Sequence, residues 1–81
     1  MRPNLNEADD GERLETECGG SENAFRLMRL YGEARQDGAS ATFELGARET
    51  ASQRTERIFR ARARYEGYSV KAVNLMLGLN A

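Results

Sequence analysis

"NAFRLMRLYGEARQDGASATFEL", residues 23–45, is the stretch on which the fold turns, because two different periods run through it. Taken in twos, Phe25, Leu27, Arg29 and Tyr31 share one side, and Arg26, Met28 and Leu30 share the other. Asp37-Gly38 is then a strong turn dipeptide, after which Ala41, Phe43 and Leu45 alternate with Thr42 and Glu44. Taken in threes and fours, Ser21 caps a helix running to Gln36, with Phe25, Met28 and Tyr31 at helical spacing. The Asp-Gly signal favours the β-hairpin, with the helix as its rival.

Downstream the period lengthens. Thr50 with Gln53 three residues later is a capping-box pattern, and no Gly or Pro interrupts the run to Glu66 before Gly67 stops it. Turning each residue by about 100° places Ala51, Ile58, Ala61 and Tyr65 on one apolar stripe, with Arg57, Arg60 and Arg64 together beside it. Arg54 and Arg62 border that stripe, laying their methylenes on the core with their charges in water. Phe59 lies off the stripe, so it either widens the core or is exposed for contact. The tail "YSVKAVNLMLGLNA" reads as a strand through Tyr68, Val70 and Ala72, or as a short helix capped by Ser69 with Val70, Val73 and Leu77 inside. With the strand chosen, the expected fold class is α+β: a small antiparallel sheet with one long helix on one face, in the order β-β-α-β.

Residues 1–20 hold only Leu5 and Leu14 as aliphatic anchors and close on Gly19-Gly20, a composition that does not offset its own ordering entropy. The expected organisation is therefore a flexible acidic leader over 1–20 and one domain over 21–81. Net charge is −1, but residues 1–40 carry five arginines against nine carboxylates, and residues 41–81 carry seven cations against four. Such asymmetry bears on partners and association rates more than on fold.

The same composition narrows the chemistry. There is no histidine, and Cys18 has no second cysteine, so neither a disulfide nor a Cys/His zinc site nor a Cys/His nucleophile pair is available, and an intracellular, cytoplasmic chain is expected. No apolar run follows Met1–Leu5, and no stretch nears the roughly 18 apolar residues of a membrane helix. Asn6, Asp10, Gly11, Glu12 and Glu17 match positions of a calcium loop, but Ala8 occupies a ligand position and the segment reads as a solvated acidic tail. With no glycine-rich phosphate loop and no placed acid–base pair, the chain is expected to be no enzyme and to need no cofactor or metal.

What remains is a surface. Arginine outnumbers lysine eleven to one, and the guanidinium fork suits carboxylate or phosphate. The expected partner-binding residues are Arg57, Arg60, Arg64 and Phe59. Glu56, Glu66 and the acidic leader repel phosphates, so an acidic protein is the expected partner ahead of nucleic acid. A partner or a homodimer would also help a chain this short, which buries little surface alone.

"EGYSVKAVNLML" resembles the hinge of ribbon-helix-helix repressors, in which Gly-x-Ser-Val opens the second helix. That resemblance implies a ribbon at "ATFEL" with Thr42 and Glu44 outward, helices over 48–66 and 69–78, and a dimeric DNA-binding regulator. The layout "AFRLMRLY", "ATFEL", basic helix, "GYSVKAV" is similar instead to small linker modules such as those of phycobilisome rods, and to compact phage inhibitors including some anti-CRISPRs. This second resemblance implies a non-enzymatic protein-binding module acting by surface occupation, the reading preferred from the sequence.

Overall fold

The computed structural model describes residues 3–41 and 49–79, with side chains from Gly11 to Ser40 and from Glu49 to Leu79. They form α1 (Pro3–Cys18), α2 (Ser21–Ala41), α3 (Ala51–Glu66) and α4 (Val70–Leu79). No strand occurs among the described residues, so the expected α+β sheet is replaced by an all-helical fold.

The segment expected to be a hairpin is α2. Its inner face carries Ala24, Leu27, Ala34 and Gly38, all buried, with Tyr31 half-buried between them, and this three-and-four spacing is helical. The two-residue alternation fails because it groups Arg29 with Leu27 and Tyr31, whereas helical turning sends Arg29 and Met28 both outward. Residues 21–41 also contain no Val, Ile or Thr, so nothing favours a pleated strand, while Ala, Leu, Met, Arg, Glu and Gln favour helix. Of the expected second strand, Ala41 ends α2, and Thr42 to Leu45 lie outside the described residues.

Gly38 does no turning. It lacks a positive φ and sits in the helix where α3 crosses: a Cβ there would stand 2.6 Å from Thr55 Oγ1, 3.0 Å from its amide nitrogen and 3.2 Å from its Cα. The missing side chain brings the two backbones together, and it makes Thr55 the buried polar residue of α3. One turn on, Phe59 is fully buried and meets the edge of Tyr31, ring centroids 5.2 Å apart at 88°. Thr55, Phe59 and Ala63 form the buried row of α3, four residues apart, a ridge of the kind that packs into a facing groove. The expected stripe is thus rotated by about one residue's turn. Ile58 is half-buried, Ala51 and Ala61 are exposed, and Tyr65 is 90% exposed.

Helix ends follow local chemistry. Thr50 and Gln53 make the expected reciprocal capping box at 3.1 and 3.0 Å, and Gly67 ends α3 at φ 95°. The Gly67 amide donates to Arg64 O at 3.0 Å and the Tyr68 amide to Ala63 O at 2.9 Å, the paired bonds of a Schellman stop. Gly19 and Gly20 build the same stop at the end of α1, their amides donating to Thr16 O at 3.2 Å and Glu15 O at 2.8 Å. The tail is helical: Ser69 Oγ accepts from the Ala72 amide at 3.1 Å, and Ala72, Val73 and Met76 are buried. This was the alternative to the expected strand, and it wins because a strand leaves Val73 and Met76 on opposite faces.

The segment expected as a loose leader is α1. Leu14 is 4% exposed within the core shared by α2, α3 and α4, Cys18 packs against that core, and Glu17 pairs with Lys71 of α4 at 3.5 Å. One well-placed leucine and a glycine stop anchor an otherwise polar helix. Leu14→Ala should therefore cost about 2–5 kcal/mol, and removing residues 1–20 should lower the melting midpoint by many degrees. An unchanged midpoint after the truncation would show that α1 adds nothing to the fold.

The Gly38 contact gives a test of sign. In an open helix, Gly→Ala gains up to about 1 kcal/mol. At Gly38 the same change should lose about 1–3 kcal/mol, because the added carbon meets backbone on α3. Gly11→Ala, whose Cβ would meet nothing within 4 Å, is the matched control and should be stabilising. Urea unfolding of both variants measures the two signs.

Candidate functional site

α3 turns its buried row toward α2 and its opposite face to solvent, and that outer face carries Arg57, Arg60 and Arg64. Arg57 is held by both oxygens of Glu49: Nε donates at 2.9 Å and one terminal nitrogen at 3.0 Å, a bidentate fork. This bond, opposed by desolvation and aided by the attraction of Arg57 and Arg54, holds the Glu49 carboxyl below its usual range. Arg60 donates from Nε to Glu56 at 3.0 Å and from Nη1 to Asn74 of α4 at 2.9 Å. Arg57 and Arg60 stay 58% and 43% exposed, and Arg64, in the last turn, has no side-chain partner among the described residues. Three of the expected site residues therefore share one solvent face.

Phe59 does not join them. It is 0% exposed beneath α2, so it shapes the core and is closed to a partner. Arg62 crosses to α2 and pairs with Asp37. Arg54 is tucked in at 15% exposure, 3.6 Å from Glu49, and its buried Nε lacks a hydrogen-bond partner. Of the two arginines expected to keep their charges in water, only Arg62 does so, at 43% exposure.

Sequence reasoning missed a polar crevice of about 490 Å³ where the end of α1, the first half of α2 and the α3–α4 turn converge. Cys18, Asn23, Arg26, Arg29, Glu66 and Tyr68 help to line it. Asn23 Nδ2 donates to Cys18 O at 2.9 Å, and the Tyr68 hydroxyl donates to Asn23 O at 3.2 Å, so its floor is tied to three elements. Burial, with the nearby Glu17, pushes the Cys18 thiol up, which opposes a reactive thiolate. Burial raises the Tyr68 phenol too, helped by Cys18 and Glu66 and opposed by Arg26. No sequence signal marks this crevice, because its lining comes from segments far apart in the chain.

No group of three or more His, Cys, Asp or Glu side chains among the described residues is placed to hold a metal ion, and the calcium-loop-like segment lies in helix α1. No helix among the described residues is long and apolar enough to cross a membrane. No known protein family, no curated protein and no solved structure matches this chain. The layout shared with small linker modules was α+β, which the all-helical fold lacks; the likeness to compact phage inhibitors rested also on small size, charge asymmetry and an acidic segment, on which the fold does not bear. The ribbon-helix-helix likeness keeps its two helices and the Gly67–Ser69 hinge, but Ala41 is helical and the rest of the ribbon, with Thr42 and Glu44, lies outside the described residues.

The Glu49–Arg57 fork predicts a pH signature. Glu49 ionises more readily when folded than when unfolded, so the pairing contributes fully above the ordinary glutamate value of 4.5 and is lost as pH falls through the depressed folded value. Carboxyl-carbon NMR should show Glu49 titrating below the usual glutamate range, and Arg57→Gln should bring it back up. A normal midpoint in the unaltered chain would mean that the fork is not populated in solution.

Proposed function

We propose that this chain is a small non-enzymatic binding module that works in the cytoplasm by covering an acidic surface of another protein with the arginine face of α3. The observation that carries this reading is the state of the three guanidinium groups. Arg57 and Arg60 are ordered by Glu49, Glu56 and Asn74, yet remain near half-exposed, each with a terminal nitrogen left over. Their side-chain entropy is already spent in the free protein, which lowers the cost of binding. Arg64 adds, on the same face, a cation with no side-chain partner among the described residues. The lone Cys18 suits a reducing compartment.

The test begins with a partner captured from the native host by the full chain and identified by mass spectrometry. Its affinity is then measured for the unaltered chain and for the Arg57→Glu, Arg60→Glu, Arg64→Glu triple variant. The expected result is a loss of about a hundredfold or more for the triple variant, and weakening of the unaltered complex by salt. Equal binding by both proteins would overturn the reading.

A second reading, a dimeric DNA-binding regulator, is favoured by one observation: the Gly67 stop and Ser69 cap join α3 to α4 as the ribbon-helix-helix hinge does. Gel-shift titration against the DNA upstream of its own gene separates the two. The binding-module reading expects nothing tighter than non-specific affinity, about 10⁻⁴ to 10⁻⁶ M. A discrete nanomolar complex would favour the regulator.

A further inference from the structure

The outer side of α2 holds the largest exposed apolar pair within one helical turn, Phe25 at 62% and Met28 at 53% exposure. Along the same strip follow Gly32, Gln36 and Ala39, all exposed, and a Cβ built on Gly32 would meet nothing within 4 Å. The strip thus carries its two large apolar side chains at its start, then Gly32, the long polar Gln36 and the small Ala39. One edge of it is charged in two blocks: Arg26 and Arg29 come first, then Glu33 and Asp37. These charges are little used inside the chain. Arg29 and Glu33 are one turn apart yet make no ion pair, and Arg26 reaches Glu22 only at 3.9 Å in the open. Asp37 alone has a close partner, Arg62.

From this arrangement we infer that the outer face of α2 is a self-association surface whose occupant is a second copy of this chain, packed antiparallel about a two-fold axis at Gly32. Phe25, seven residues before Gly32, then lies opposite Ala39 of the second copy, seven residues after it. Met28 lies opposite Gln36, and the two Gly32 positions meet where the helices come closest. Phe25 thus faces the small Ala39, Met28 meets the similarly long Gln36, and the paired glycines let the helices come close. A two-fold of this kind brings the same edge of both helices together, so the Arg26–Arg29 block faces the Glu33–Asp37 block twice over. A parallel pair about a two-fold along the helices would set this charged edge against the opposite edge of the other copy, so neither block would meet its opposite. An unrelated partner of one charge would satisfy one block and be repelled by the other, whereas a second copy satisfies both. Because α3 packs on the opposite side of α2, each copy keeps its arginine face open.

Sedimentation equilibrium of the full chain over about 1–500 µM tests this; a single pair of helix faces is a small interface, so a micromolar dimer is expected. Arg29→Glu should weaken it about tenfold or more, and Arg29→Glu with Glu33→Arg should restore it to within a few-fold. Circular dichroism checks that these exposed changes leave the helices intact. In a Cys18→Ser background, Gly32→Cys should cross-link to itself under mild oxidation. Axes about 8–10 Å apart, less a backbone radius of about 2.3 Å on each side, leave Cα atoms about 3.4–5.4 Å apart, and the upper half of that range is within disulfide reach. A chain that stays monomeric throughout overturns the inference, as does a dimer indifferent to Arg29→Glu or a swap that fails to restore it. These outcomes do not depend on Arg57, Arg60 and Arg64, so they leave the reading of α3 to its own test.

Discussion

The approach of α2 to α3 at Gly38 and Thr55 sets the geometry on which the other contacts depend. Because no Cβ stands at Gly38, the backbone of α3 comes close enough for the Tyr31 edge to reach Phe59, and for Arg62 to bridge to Asp37. Widening that crossing by the width of a methyl group would separate the aromatic pair and open a gap beside the largest side chain of the core. Dispersion contacts fall away steeply over such distances, so one missing carbon has effects well beyond its own size. The same crossing fixes which way α3 faces. With Thr55, Phe59 and Ala63 turned to α2, the arginines at 57, 60 and 64 have no direction left but solvent.

The parts legible in the sequence were those decided by chemistry within a few residues. The Thr50–Gln53 box, the Gly67 stop and the span of α3 depend on backbone groups needing partners at fixed offsets, and those offsets are written in the chain. The arginine face was legible for a similar reason, since relative angles on a helix do not depend on what the helix packs against. Its absolute rotation was not legible. The apolar stripe was drawn through Ile58, Ala61 and Tyr65 because they are hydrophobic, whereas the observed phase is set by a threonine that fits against a glycine from another helix. Phe59, left ambiguous by that stripe, is the centre of the core.

Glycine was a main source of error, for two separate physical reasons. Asp37-Gly38 reads as a turn because glycine tolerates positive φ, but here it is chosen for its missing side chain at ordinary helical φ. Gly19-Gly20 reads as the loose end of a leader, yet both residues hold positive φ and close α1 with hydrogen bonds. Composition alone cannot separate these uses, because the distinction lies in what stands within about 4 Å of the position.

Among the described residues, ion pairs bridge the acidic and basic halves of the sequence at two points. Glu17 at the end of the acidic first segment meets Lys71 in the last helix, and Asp37 meets Arg62. Glu49 and Glu56 sit against Arg57 and Arg60. These pairs are mostly exposed and worth little to stability. What those pairs do is orient side chains. A guanidinium held by a neighbouring carboxylate presents its remaining donors in a defined direction, and it is less hungry for phosphate than a bare cation. Such a face discriminates by the geometry of acceptors on its partner more than by net charge, and that favours a folded acidic surface over the uniform charge of a nucleic-acid backbone.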